Sequence, residues 1–396
     1  MDMRLICSVV VALAGLAVAG CGPAMEGESP RAAGAWRQLP DPPLAPRDHA
    51  VVVGVGERML VVGGWEFLCP PDADCSAPDS PRFADGAVYD PAADSWTATA
   101  PAPFGLVREE YATASIGETA WLLTGCQDGR SVCDAHPRLL SYDLDADRWT
   151  DHGAVPGKKA YRHLVAVGRH LLAYSGSDEH GERPDAHFDP RTSTWSELPD
   201  DPLPGTFDRY VVPVGDQQLV LAASSAAALE RGQDAGKLVA RFDLDAGRWT
   251  RLPDAPGEGY QLLPSDRGPL LNGHFIGAPG WLLDPDTWTW SELPEGAGEG
   301  HDLNGVLDGD RAVYDIPNSV GQMASGNRLL IYDSQKQGFL TIPALPERED
   351  VYDDSSTALG RDLFVYGGQR WTVGAQGSAS DGELVGDAWL WTAPGD

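Results

Sequence analysis

Apolar residues fall along this chain in short runs, such as RMLVV before Gly63-Gly64 and DLFVY before Gly367-Gly368, each closed within a few residues by Gly, Pro, Asn or Asp. No long run repeats its apolar positions with helical spacing. Short apolar or alternating runs between turn residues predict β-strands. The pattern also recurs. An Asp stands six positions before an aromatic at Asp90–Trp96, Asp143–Trp149, Asp189–Trp195, Asp243–Trp249, Asp284–Trp290 and Asp333–Phe339. Trp36 opens the series without its own Asp, which makes seven terminal aromatics. A second marker, His or Tyr, opens the apolar run of each unit: His49, Tyr111, His163, Tyr210, Tyr260, His301 and Tyr352.

Each unit therefore predicts four short antiparallel strands. Strand a starts at the His or Tyr, b runs into the diglycine, c carries the Tyr-Asp or its equivalent, and d carries the Trp. The Asp side chain suits a tight c–d turn, where it accepts backbone N–H groups. The Trp gives a large apolar body to pack between sheets. A single sheet of this kind leaves its faces and edges uncovered, and a closed ring of sheets does not. The last unit, DAWLWTAPGD, has a strand c and no strand d, while the stretch at Trp36 is a strand d without a unit. The N-terminal strand is expected to complete the last sheet. The predicted fold is all-β: a seven-bladed propeller of four-stranded blades.

RDHAVVV, LVVGG, VYD and SW in the first unit resemble the kelch repeat, and the resemblance runs from about Trp36 to Trp391. It implies a β-propeller similar to the central domain of galactose oxidase. The crosslinked Cys–Tyr copper site of that enzyme has no counterpart in the sequence. A periplasmic sialic acid mutarotase is a further exported relative in fold. By that resemblance, an enzyme of the mutarotase or epimerase type would use Arg108, Glu109, Arg162 and Arg209 at the channel mouth.

The N-terminus changes the picture of where the chain works. Arg4 precedes an apolar stretch from Leu5 to Val18, too short to span a bilayer comfortably, and Val18-Ala19-Gly20-Cys21 follows. This resembles the lipobox of bacterial lipoproteins. The resemblance implies a signal peptide over residues 1–20, acylation of Cys21, and anchoring on the outer side of a bacterial membrane. Residues 21–35, rich in Gly, Pro and Ala, read as a flexible tether, and the propeller as residues 36–396.

Composition fits a globular β protein rich in turns, with 46 Gly and 32 Pro. The 59 acidic residues exceed the 29 basic ones, and the formal charge of −30 repels phosphate backbones, so no nucleic acid partner is expected. In an exported chain the close pairs Cys69, Cys75 and Cys126, Cys133 are expected to form two local disulfides. Their spacing suits zinc poorly. Neither a metal nor a cofactor is expected, and no catalytic residue is assigned.

Strand order puts the d–a and b–c connections on one face, the top, and the short c–d turns on the bottom. The b–c connections vary most in length, and variable loops on a rigid frame are where recognition concentrates. The tether enters strand d from the bottom, which points the top away from the membrane. Charged residues stand at or just before the a strands: Arg47, Asp48, Arg108, Glu109, Glu110, Arg162, Asp208, Arg209, and beside them His301. Arginine forks there would suit a carboxylate or sugar acid. The same residues could instead pair with one another and stiffen the rim. The sequence reading is thus a membrane-anchored binder of a protein or glycan ligand through its top face. The alternatives are a carbohydrate-active enzyme and a structural envelope component.

Overall fold

The computed structural model describes residues 34–393, except 72, 74, 76–80, 109–110, 125–136, 157–161, 178–184, 204, 233–235, 258, 266, 274–279, 294–302, 308–310, 316–328, 334–337, 361 and 374–377. For residues 162, 260, 272, 273 and the strands within 303–341 only the backbone is described.

Strands in chain order are β1 (Ala35–Gln38); β2 (Val51–Val55), β3 (Arg58–Val62), β4 (Gly86–Asp90) and β5 (Ser95–Ala98) of blade 1; and β6 (Tyr111–Ile116), β7 (Thr119–Thr124), β8 (Arg138–Asp143) and β9 (Arg148–Ala154) of blade 2. Blade 3 holds β10 (Arg162–Val167), β11 (His170–Ser175), β12 (Ala186–Asp189) and β13 (Thr194–Glu197). Blade 4 holds β14 (Thr206–Val214), β15 (Gln218–Ser225), a short helix α1 (Ala226–Glu230), β16 (Leu238–Asp243) and β17 (Arg248–Arg251). Blade 5 holds β18 (Gly259–Leu263), β19 (Leu270–Gly273), β20 (Trp281–Leu283) and β21 (Trp290–Glu292). Blade 6 holds β22 (Leu303–Leu307), β23 (Arg311–Asp315), β24 (Leu329–Asp333) and β25 (Gly338–Ile342). The remainder are β26 (Val351–Tyr352), β27 (Ser355–Leu359), β28 (Asp362–Tyr366), β29 (Gln369–Val373), β30 (Ala379–Leu384) and β31 (Ala388–Thr392).

These strands form seven four-stranded antiparallel sheets. Six are consecutive in sequence. The seventh runs β1-β31-β28-β27, with Trp36 opposite Trp391 and Gln38 opposite Trp389, so the first strand supplies the missing strand d.

The repeat spacing has a local cause. In the c–d turns Asp90 Oδ1 accepts the N–H groups of Ala92 and Ala93 at 2.8 and 3.3 Å. Asp143, Asp189, Asp243 and Asp284 accept equivalent bonds from Ala146, Arg191, Ala246 and Asp286. The residue two before each Trp has positive φ: Asp94, Asp147, Ser193, Gly247 and Trp288. An Asx cap followed by a left-handed residue turns the chain in four positions and delivers the Trp onto strand d. The diglycines have an equally direct cause. Gly63 and Gly64 take φ 75° and 93°, and a Cβ on Gly63 would lie 2.4 Å from the carbonyl oxygen of Leu106.

Both faces of the inner strands are buried, which is why those segments read as unbroken apolar runs. Val51, Val53 and Val55 pack towards blade 2, while Val52 packs towards blade 7 with Phe364 and Leu390. The core is thus divided into slabs between successive sheets: 7 and 1, 1 and 2, 2 and 3, 3 and 4, 4 and 5, and 6 and 7. Full burial of one Leu or Phe in such a slab contributes roughly 1.5–3 kcal/mol.

Three features depart from the sequence reading. Tyr352 does not open strand a of the last blade. Asp353 at φ 56° turns the chain, strand a starts at Ser355, and Val351–Tyr352 pairs with β29 instead. The b–c connection of blade 7 thereby builds an accessory sheet in the order β26-β29-β30. In blade 4 the run AAALE, made of strong helix formers, folds as α1 with Ser225 Oγ capping the N–H of Ala228. No helix of the described residues is long and apolar enough to cross a membrane.

Candidate functional site

The top face is held by buried arginines. Arg47 is 1% exposed. Its fork meets Asp85 at 2.7 and 3.0 Å, its Nη1 also donates to the Gly63 carbonyl, and its plane lies 4.3 Å from the Phe83 ring. Arg348 is 0% exposed and donates to Asp387 at 2.5 Å and to the carbonyl of Gly367. Arg209 is 2% exposed and donates to Asp201 at 2.8 Å, Asp185 at 3.1 Å and the carbonyl of Ser175. Asp85, Asp185 and Asp387 each stand immediately before strand c of their blade. In blades 1, 3 and 7 an arginine fixes the end of strand b to the start of strand c: Arg47 and Arg348 come from the connection leading into the same blade, and Arg209 reaches back from β14 of blade 4. The Arg47 guanidinium holds the Asp85 carboxyl below the usual carboxylate range.

Blade 4 reverses the sign. The position before its strand c is Lys237, 3% exposed, whose Nζ donates to Ser224 Oγ at 2.7 Å and lies 4.0 Å from Asp208 Oδ2. Burial pushes this ammonium down to about 8. Asp208 reaches it because β14 bulges between Phe207 and Tyr210, with Asp208 at φ 46°.

The seam between blades 7 and 1 carries a second polar cluster. Asp48, fully buried, accepts the N–H of His49 at 2.8 Å, faces His49 Nδ1, and accepts from the Gln369 amide. Gln369 Oε1 in turn accepts the N–H of Cys69 at 2.7 Å. Cys69 is bonded to Cys75, which closes a six-residue separation. Trp65 packs edge-on against both His49 and Phe67. The half-buried Arg108 donates to the carbonyl of Asp354 and to Ser355 Oγ, so it reaches from the start of blade 2 to blade 7.

The sequence candidates thus separate into two groups. Asp48 and Arg108 both bond across the seam to blade 7, to Gln369 and to Asp354 and Ser355. Arg47 and Arg209 lie within different blades, each bound to carboxylates, in the rim-stiffening arrangement that the sequence left open. Asp208 is half-exposed beside Lys237. Arg162 lies in β10, and its side chain is outside the described residues, as are Glu109, Glu110, His301, Cys21, Cys126 and Cys133. Arg348, Lys237 and the partner carboxylates escaped the sequence reading. The signal for the carboxylates was an Asp directly before strand c, repeated in three units.

Other top-face features are a polar cavity of about 320 Å³ beside the accessory sheet, lined by Gln38, Glu347, Arg370, Glu383 and Trp389 among others. Among the described residues, the large apolar side chains left exposed are Leu68, Phe104, Leu229 and Val373, and no group of three His, Cys, Asp or Glu is placed to hold a metal ion.

No family model matches the chain. It is 29% identical over 237 residues to Kelch-like protein 34 of Homo sapiens, covering 57% of this chain and 34% of that protein. It is 29% identical over 126 residues to Kelch repeat and BTB domain-containing protein 12 of Homo sapiens, covering 31% and 19%. It is 28% identical over 141 residues to Kelch-like protein terF of Aspergillus terreus, covering 36% and 27%. The chain spans about a third or less of the length of these relatives. The solved structure of YjhT aligns over 87% of this chain and 96% of that one, at 14% identity and a TM-score of 0.43. With seven four-stranded sheets, diglycines at the b–c corners of blades 1 and 7, and a tryptophan on strand d in every blade but the sixth, which has Phe339, the chain is a kelch-repeat β-propeller.

Proposed function

We propose that this chain is an exported, lipid-anchored propeller whose top face binds a protein partner. The reading takes residues 1–20 as an export signal, Cys21 as the acylated residue, 21–35 as a tether and 36–396 as the propeller. One observation carries it. Leu68, Phe104, Leu229 and Val373, exposed by 37, 38, 65 and 43%, all belong to top-face connections or to the accessory sheet built from one of them. The described c–d turns of the bottom face are short and hold none of these exposed large apolar side chains. Large apolar side chains left exposed on one face and not the other support an interaction surface on that face.

The same connections carry the elaborations of the fold: the Cys69–Cys75 clip, α1 and the β26-β29-β30 sheet. A rigid frame that varies only on one face supports recognition there. Three aliphatic side chains and one Phe favour a protein over a glycan, which would need convergent polar groups around a stacked aromatic.

The test places a photo-crosslinking phenylalanine analogue at Phe104 or Leu229 on top, and at Ala246 on the bottom, of the full chain in its own envelope. Protein adducts from the top positions are expected, and adducts from Ala246 alone would overturn the reading. Cys21→Ser should release the chain from the membrane fraction. Its retention there would remove the anchor.

A further inference from the structure

The surface over blades 7 and 1 is assembled by specific contacts. Leu68 precedes Cys69, whose N–H is held by Gln369 at the base of β29. Val373 ends the same strand four residues on, roughly 13 Å away along an extended strand. Phe104 precedes Gly105, which packs against Arg82, and Arg82 is bridged to Trp65, three residues before Leu68. The disulfide and the accessory sheet hold the backbone at Leu68 and Val373, and the close approach of Gly105 to Arg82 holds it beside Phe104, so little backbone ordering cost remains for binding.

The charge around them has one dominant sign. Arg47 and Arg348 are buried, each against an aspartate. Arg370 is engaged by Asp350 at 3.3 Å and Glu383 at 3.1 Å. Beyond the carboxylates that Arg370 engages, Glu66, Asp353 and Asp381 are exposed there, against Arg82 alone among the exposed basic residues described in these connections. The arginines are drawn inward as struts, and the carboxylates are what face solvent.

We propose that the surface over blades 7 and 1 docks a protein segment that is both basic and apolar. Its apolar side chains cover Leu68, Phe104 and Val373, and its Lys or Arg residues meet the surrounding carboxylates. Charge complementarity sets the partner's sign and the apolar trio sets the register. This rests on the protein-binding reading and narrows it to a partner chemistry.

The experiment uses the full chain in detergent and three synthetic peptides of equal length: lysine–leucine, glutamate–leucine and lysine–serine. The lysine–leucine peptide should bind tightest and weaken by about tenfold between roughly 0.05 and 0.5 M salt. Leu68→Ser with Phe104→Ser and Val373→Ser should weaken it by at least about tenfold. Glu66→Lys with Asp381→Asn should weaken it several-fold at low salt only. Asp245→Lys with Asp286→Lys, in the bottom turns, should change nothing. Failure of the lysine–leucine peptide to bind, equal binding of lysine–serine, or an equal loss in the bottom variant would overturn the proposal. Tighter binding of glutamate–leucine that is lost in the triple serine variant would overturn the partner's sign and leave top-face binding standing. Indifference of every peptide to the triple variant would remove both.

Discussion

The indole Nε1 of Trp36 donates to the carbonyl oxygen of Pro343 at 2.7 Å, across 307 residues of sequence. The bond repeats between neighbouring blades: Trp96 to Pro40, Trp149 to Ala100, Trp249 to Pro199 and Trp290 to Pro253. Each acceptor lies just past strand d of the preceding blade. The Trp thus has two tasks, an apolar body between sheets and a polar tip that sets the spacing of strand d in adjacent blades.

Blade 3 supplies the contrast. Among the described residues Trp195 Nε1 is buried without an acceptor, and the preceding strand d runs on to Ala154 past Gly153 at φ 82°. The three Trp→Phe changes remove the same ring volume, so Trp36→Phe and Trp249→Phe should each cost about 1 kcal/mol more than Trp195→Phe, the net worth of one hydrogen bond. Trp195 has no such bond to lose. Urea unfolding midpoints of the three variants give the comparison, and equal losses would refute the assigned role of the indole N–H.

The buried arginines should matter more to stability than any exposed ion pair. Arg209→Ala leaves Asp201, itself buried, without its cation, and breaking such a pair from one side costs on the order of 3–5 kcal/mol. Arg37→Ala removes an exposed pair with Asp94 and should cost at most about 1 kcal/mol. Thermal melting separates the two. A mild Arg209 variant would return that residue to the pool of ligand-binding candidates.

What the sequence revealed follows the range of the forces involved. The Asp90–Trp96 spacing was legible because both the Asx cap and the left-handed residue act within one turn. The pairing of β1 with β31 was legible because a strand d was missing at one end and unclaimed at the other. The Arg47–Asp85 strut was not, since its partners lie 38 residues apart and its charge is compensated by burial geometry. The accessory sheet escaped for a similar reason: Val351–Tyr352 fits strand a by pattern, and only the left-handed turn at Asp353 diverts it.

The disulfide offers a local test. Closing so short a loop is worth about 2 kcal/mol on the chain-entropy model, and Cys69→Ser with Cys75→Ser should cost about that much. The loss should be confined to the top of blades 7 and 1, because Gln369 is the contact that transmits it. Hydrogen exchange should rise at Cys69 and around Gln369 while β15 and β16 stay protected. A uniform rise across all blades would mean that the clip supports the whole ring.

Lys237 gives the fold a pH dependence of unusual sign. Burial lowers its folded-state value to about 8 from the ordinary 10.5. Below pH 8 both folded and unfolded chains carry the proton, and the fold bears the cost of a buried ammonium. Between about 8 and 10.5 the folded state releases the proton first, the unfolded state binds more, and stability rises with pH. The gain is on the order of 3 kcal/mol at most over that window. Lys237→Met keeps an unbranched apolar stem in the slot and removes the titration. Its melting temperature relative to the unsubstituted protein should therefore be highest near pH 7 and fall as pH rises towards 10. Asp208, half-exposed, can hydrate once its cation is gone, while Ser224 Oγ loses its 2.7 Å donor. A difference between the two proteins that stays constant from pH 7 to 10 would show that Lys237 keeps its charge in the fold. The Lys237–Asp208 contact would then be an ordinary ion pair with reversed polarity, matching the struts of blades 1, 3 and 7.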